Sequence, residues 1–279
     1  MNCYLNGIIM PSAEASIGLH DLGLLRGFGI FDYLQQKQGV PLFIDDYLNR
    51  FFNSAAIMGV EIPVSRAEIK ASALALIKSN GLSHSGLRLI LTGGYSPDSF
   101  TPTTPNFYML EQPLQMPDNE LFTNGVKLMW HQYTREVAEV KTTNYVVPIL
   151  LQAQWKAMGA YDVLYHDEHF VTESSRSNFF IVSKDNILIT PDRNVLKGIT
   201  RKKVLELAMN IMGVEIRDVK LSQVTDAKEA FITSSTKGVL PIVQINDLII
   251  ADGRVGEWSM RLMQDFDKLQ TDYLIKNAI

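Results

Sequence analysis

The sequence predicts a mixed α and β protein, built as two domains with largely antiparallel sheets. Three observations carry that expectation. Short runs rich in branched and aromatic residues alternate with segments whose apolar residues recur every three or four positions. Asn-Gly and Asp-Gly pairs punctuate these runs at hairpin spacing. The stretch EQPLQMPDNE carries two prolines among polar residues and reads as a linker, so the boundary falls between residues 1–115 and 116–279.

Taken in order, Asn6-Gly7 predicts a type I′ turn between two short strands. A glycine-rich stretch from Gly23 to Phe31 leads into the strand IFDYLQQ. In DDYLNRFFNSAAIMG the residues Leu48, Phe51, Phe52, Ala55 and Met58 give a helical face, and Gly59 supplies a stop. A second helix over 65–79 opens on Ser65 and Glu68, the pattern of a capping box. LRLILTGG and NFYMLEQ read as strands. Beyond the linker, VKLMW is a strand and 144–158 a helix, with Pro148 tolerated in the first turn. YDVLYHD, VTESSRSNFFIV and NILITP follow as strands, the second one expected to be buried because Phe179, Phe180, Ile181 and Val182 are apolar. A helix over 200–212 should stop at Gly213. EAFITSS, LPIVQIN, an Asp252-Gly253 turn and an amphipathic helix complete the chain.

Composition removes several classes of function. With 279 residues, 46% hydrophobic and 20% charged, the chain is of ordinary globular composition and long enough to bury a core. The net charge is −4 and the basic residues are scattered, which leaves no nucleic-acid footprint. No apolar run approaches the ~20 residues of a membrane helix. MNCYLNGIIM lacks the basic and apolar regions of a secretory signal, and the single cysteine, Cys3, fits a reducing cytosol. A cytoplasmic location is therefore expected.

Several side chains suit chemistry, each with a plain alternative. GITR places Thr200 and free backbone N–H groups at a helix start, an anion site or simply a capped terminus. The hydroxyl-rich turn ITSSTKG offers Ser235 and Thr236 to a phosphate, though such turns are commonplace. Arg50 in its helix is a snorkelling side chain or a phosphate clamp. Lys141, in EVKTTNY, is a solvated charge or, if its environment favours the neutral amine, a Schiff-base nucleophile. Glu173 and Arg176 set opposite charges beside a core strand, which is costly unless they are paired or used. His166, Asp167, Glu168 and His169 fall in a hairpin turn and read as solvated residues, not metal ligands. GFGIF lacks the third glycine of a dinucleotide fingerprint, and no nucleophile elbow occurs.

Six stretches, LRGFGIFDY, DYLNRF, VKTTNY, VTESSRSNFF, GITR and ITSSTKG, stand in the order found in class IV aminotransferases, and the chain resembles that family over nearly its whole length. The resemblance implies fold type IV, a small α/β sandwich domain followed by a larger barrel-like domain, with the active site between them near a homodimer partner. It implies pyridoxal 5′-phosphate as cofactor, carried by Lys141 as a Schiff base in the larger domain, with Lys141 also moving the proton. Glu173 would pair with the pyridine nitrogen. Arg50, Ile199, Thr200, Ser235 and Thr236 would hold the phosphate, and Tyr145 would lie near the phenolic oxygen.

Within the family, Gly93 in LTGGY stands where well-known bacterial D-amino acid transaminases resembling this chain carry an arginine, and Phe31 replaces their tyrosine. Thr142-Thr143 replaces the Gly-Gly of branched-chain enzymes. Arg26 and Arg176 look like the pair with which a less common group of D-amino acid transaminases binds the substrate carboxylate. These features imply transfer between a D-amino acid and a 2-oxo acid by a ping-pong cycle. An L-branched-chain aminotransferase and a 4-amino-4-deoxychorismate lyase are the alternatives, and a binding protein that has lost the chemistry is the rival outside enzymology.

Overall fold

The computed structural model describes residues 1–278, which divide into two units. The first comprises Met1–Gln115, Val140–Tyr145 and the last residues from Asp272; the second comprises Met116–Glu139 and Val146–Thr271. Residues 140–145 join the first unit because their backbone is bonded to it. Phe31 N donates to Lys141 O at 2.9 Å, Thr143 N donates to Gly29 O at 2.9 Å, and Thr142 bridges Ile30. The lysine thus lies with the first unit, although a boundary drawn at residue 116 assigns it to the second.

In the first unit, β1 (Asn2–Leu5) and β2 (Ile8–Pro11) form a hairpin. Its turn residues Asn6 and Gly7 have φ of 46° and 101°, the left-handed backbone that these two residue types adopt most cheaply. The glycine-rich stretch contains a short helix that periodicity does not announce, α1 (Leu22–Arg26). Asp21 caps it, its side chain accepting from Gly23 N at 2.7 Å, and Gly27 ends it with φ 64°. The other Asp21 oxygen accepts from Thr92 Oγ1 and Asn106 Nδ2, both at 2.7 Å, which ties α1 to the sheet. Next come β3 (Gly29–Lys37), β4 (Val40–Pro41), α2 (Ile44–Met58), α3 (Arg66–Asn80), β5 (His84–Thr92) and β6 (Phe107–Pro113). Helix α2 stops at Gly59, and α3 carries the expected Ser65–Glu68 capping box. The antiparallel sheet has the order β2-β1-β6-β5-β3-β4. One face buries Leu34, Leu87, Leu89 and Met109. Cross-strand partners share a face, so Phe31 and Tyr33 lie with Arg88 and Tyr108 on the opposite one.

The second unit begins with α4 (Asn119–Asn124) and β7 (Val126–Gln132) and continues through α5 (Val146–Ala157), where Pro148 occupies the first turn. Then follow β8 (Asp162–His166), β9 (Phe170–Ser174), β10 (Ser177–Val182), β11 (Ile187–Thr190), α6 (Ile199–Ala208), β12 (Gly213–Ile216), β13 (Val219–Lys220) and α7 (Leu221–Thr225). The last elements are β14 (Glu229–Ser234), β15 (Gly238–Ile245), β16 (Leu248–Ile249) and α8 (Glu257–Asn277). Six strands close a barrel in the order β9-β10-β14-β15-β7-β8. Leu128, Leu164, Phe179, Ile232 and Leu240 fill its interior.

Three expectations need correction. VTESSRSNFFIV is two antiparallel strands, because Ser175 and Arg176 form a tight turn that pairs Glu173 with Asn178 and Ser174 with Ser177. Helix α6 ends at Ala208, short of Met212. Gly213 is no helix stop, since its backbone pairs in parallel with Ile187 and opens β12. The sheets are largely antiparallel as expected, but β7 runs parallel to both β8 and β15. No helix among the described residues is long and apolar enough to cross a membrane. The His166–His169 segment is the β8–β9 turn, where Asp167 accepts from the N–H groups of His169 and Phe170.

Candidate active site

The first unit gathers Phe31, Arg50, Lys141 and Tyr145. Backbone bonds between 29–31 and 141–143 fix the lysine beside β3, and its Nζ lies 4.5 Å from the centre of the Phe31 ring. That side chain is half-buried, and its Nζ lies within cation–π distance of the ring. Tyr145 packs against the same aromatic, with ring centres 5.7 Å apart.

Arg50 does not snorkel. Its Nε and Nη2 reach the two Asp32 oxygens at 3.0 and 2.5 Å, and the pair is buried. Burial pulls the guanidinium pKa down, but Asp32 and the phenols of Tyr47 and Tyr145 outweigh it and hold the pKa above its ordinary value. Two of the five N–H donors are thereby used, so a clamp on a further anion must use the others.

In the second unit Glu173 is almost fully buried, with 4% of its surface exposed. Oε1 receives Nε and Nη2 of Arg135 at 2.8 and 2.7 Å, while Arg135 Nη2 also bonds Ala138 O. Oε2 accepts from Leu196 N at 3.0 Å and from Asn178 Nδ2 at 3.2 Å. Asn178 also donates to Leu196 O at 2.7 Å. The carboxylate is therefore joined to the loop that starts α6. Gly198, the N-cap of that helix, packs so closely that a Cβ there would lie 2.0 Å from Asn178 Oδ1. Sequence reading missed Arg135, since nothing in its neighbourhood signals a partner 38 positions away.

Gly198, not Thr200, caps α6, and this cap makes no side-chain hydrogen bond. The first backbone N–H groups, at Ile199 and Thr200, are therefore left for an anion. Ser235 and Thr236 form the turn between β14 and β15, shaped by Ser234, whose Oγ accepts from Lys237 N at 3.3 Å.

The two substrate arginines sit on different elements. Arg26 ends α1 and is exposed, its Nη1 donating to Leu25 O at 3.2 Å. Arg176 is exposed at the tip of the β9–β10 turn. Burial pushes the Tyr161 phenol up, and the nearby Arg176 charge draws it partly back. A third arginine escaped notice in the sequence. Arg88 lies over Phe31 and Tyr33, 5.8 and 5.6 Å from the ring centres, and its buried Nε has no hydrogen-bond partner among the described residues. The one charge within LRLILT was the available signal.

These donor sets fit a phosphorylated pyridine aldehyde. A helix start whose N-cap, Gly198, has no side chain suits a phosphate dianion, an arginine-paired carboxylate suits a protonated ring nitrogen, and the amine of Lys141 suits the aldehyde.

Comparison with known proteins points the same way. Residues 29–245 match the family model for amino-transferase class IV. A Methanocaldococcus jannaschii protein provisionally named a branched-chain-amino-acid aminotransferase is 28% identical, the match covering 99% of each chain. A D-alanine aminotransferase of Bacillus licheniformis is also 28% identical, over 92% of each chain. The solved branched-chain amino acid aminotransferase of Escherichia coli superposes with a TM-score of 0.90 at 20% identity, covering 98% of this chain and 95% of the other.

Proposed function

Since the chain belongs to the class IV aminotransferases, which depend on pyridoxal 5′-phosphate, we propose that it moves an amino group from a D-amino acid to a 2-oxo acid. The cofactor, when bound, supplies the electron sink that makes the substrate Cα–H acidic. Lys141 would anchor it through Nζ. Its Nζ would also take the proton from the substrate Cα. Glu173, fixed by Arg135, Asn178 and Leu196 N, places a negative charge for the ring nitrogen. The N–H groups of Ile199 and Thr200, the hydroxyls of Ser235 and Thr236, and Arg50 would hold the phosphate, with Tyr145 toward the phenolic oxygen.

Arg176, with Arg26, would bind the substrate α-carboxylate, and Phe31 would line the substrate's space. The observation that carries this reading is the exposed position of Arg176 at the tip of the short β9–β10 turn, which the Glu173–Asn178 and Ser174–Ser177 pairs close. Arg88 suits a second carboxylate, which favours D-glutamate over D-alanine as donor. The apolar surface of α5, with Val146, Ile149 and Leu150 each more than 60% exposed, supports a homodimer. The buried free thiol of Cys3 is in keeping with the cytoplasm.

A donor screen with 2-oxoglutarate or pyruvate as acceptor tests the assignment. D-glutamate and D-alanine should outpace L-leucine, L-valine and L-glutamate by at least about tenfold in kcat/KM, a difference of about 1.4 kcal/mol at the transition state. Faster turnover of L-leucine would support the branched-chain reading, which the Methanocaldococcus jannaschii relative favours. Pyruvate released from an aminodeoxychorismate without an acceptor would identify a lyase.

A further inference from the structure

A buried ion pair in the second unit has no part in the chemistry above. Lys237 has 6% of its surface exposed and Asp162 none. Lys237 Nζ lies 3.8 Å from Asp162 Oδ2, donates to Ser177 Oγ at 2.9 Å, and sits 5.3 Å from the Tyr161 ring centre. Asp162 Oδ1 accepts from Ser175 Oγ at 2.6 Å and from Val163 N at 2.8 Å. Ser175 and Ser177 are the residues on either side of Arg176. Each is therefore held by one member of the pair. The backbone of Lys237 lies in the β14–β15 turn, directly after Ser235 and Thr236.

A buried pair of this kind is a poor source of stability, since two apolar groups of similar size commonly serve as well. What it does supply is direction. The hydroxyls on both sides of Arg176 are held, which anchors the short turn from which the guanidinium extends. We propose that Lys237 and Asp162 form a strut that positions Arg176 for the substrate carboxylate, making Lys237 a positioning residue for substrate affinity. The proposal rests on the reading of Arg176 given above.

The test uses the cofactor-loaded enzyme and propionate, a monocarboxylate that cannot react, with its dissociation constant measured by calorimetry. Lys237→Met leaves Asp162 buried and uncompensated and is open to misfolding, so the double variant Lys237→Met/Asp162→Asn, which removes both charges, is made beside it. The double variant should weaken propionate and raise KM for the amino donor by about tenfold, with kcat changed less than about threefold, the signature of lost ground-state binding. Lys237→Arg should recover most of that loss. In an Arg176→Ala background the same double substitution should add less than about twofold, because groups acting through one another are not additive. Unchanged propionate affinity in the double variant, beside a large loss in Arg176→Ala, would overturn the strut and leave the Arg176 reading intact. A loss that persists fully in the Arg176→Ala background would also overturn it. Unchanged affinity in Arg176→Ala itself would remove the reading, and the strut with it.

Discussion

Lys141→Ala will take up pyridoxal 5′-phosphate without the visible absorbance band of the lysine-bound cofactor, and its transamination rate will fall by about ten-thousand-fold. Two roles are lost together in that substitution, the covalent anchor and the base at Cα. The neighbourhood of the side chain survives, because the bonds that fix 141–143 to β3 are backbone bonds. The variant should therefore melt close to the wild type. Added methylamine should restore part of the rate, since a small amine can enter the space left beside Phe31 and accept the proton. An absorbance spectrum and turnover like those of the wild type would mean that another group carries the chemistry.

Glu173→Gln will lose about a hundred- to a thousand-fold in rate, because a neutral amide cannot hold the ring nitrogen protonated. It will also lose stability. Its partner Arg135 has only 19% of its side chain exposed and would be left without its counter-charge. Breaking such a pair costs about 3 kcal/mol at the low end, roughly 5–10 °C in Tm for a protein of this size. Gln retains an oxygen for Leu196 N, which keeps the loss near that lower value. The two effects separate in Glu173→Gln/Arg135→Met. Removing both charges should return the melting temperature toward the wild type while the rate stays low. Recovery of the rate along with the stability would reduce Glu173 to a structural partner of Arg135.

Local features of the fold were legible in the sequence because their causes are local. The Asn6-Gly7 turn, the α2 face ending at Gly59 and the Ser65–Glu68 box each depend on residues within a few positions of one another. The misread segments fail for an equally physical reason. Glu173 to Ser177 has no glycine or proline to mark the turn that splits β9 from β10; its serine hydroxyls are held by Asp162 and Lys237, 13 and 60 positions away. Gly213 looks like a helix stop until its parallel pairing with Ile187 is known. At the candidate site, side-chain types were readable and their partners were not. Asp32 beside Arg50 and Arg135 beside Glu173 are separated by 18 and 38 positions. Only the folded chain brings them together. Arg88 shows the same limit, for one charge in a strand is unremarkable until it is seen over two rings with its Nε unsatisfied.

The most direct trial of the whole account is borohydride reduction of the cofactor-saturated protein, followed by digestion and mass spectrometry of the peptides. A single phosphopyridoxyl group on Lys141 is the predicted outcome. Its appearance on Lys237, the buried amine of the other unit, or on no lysine at all, would contradict the assignment from which every other role here follows.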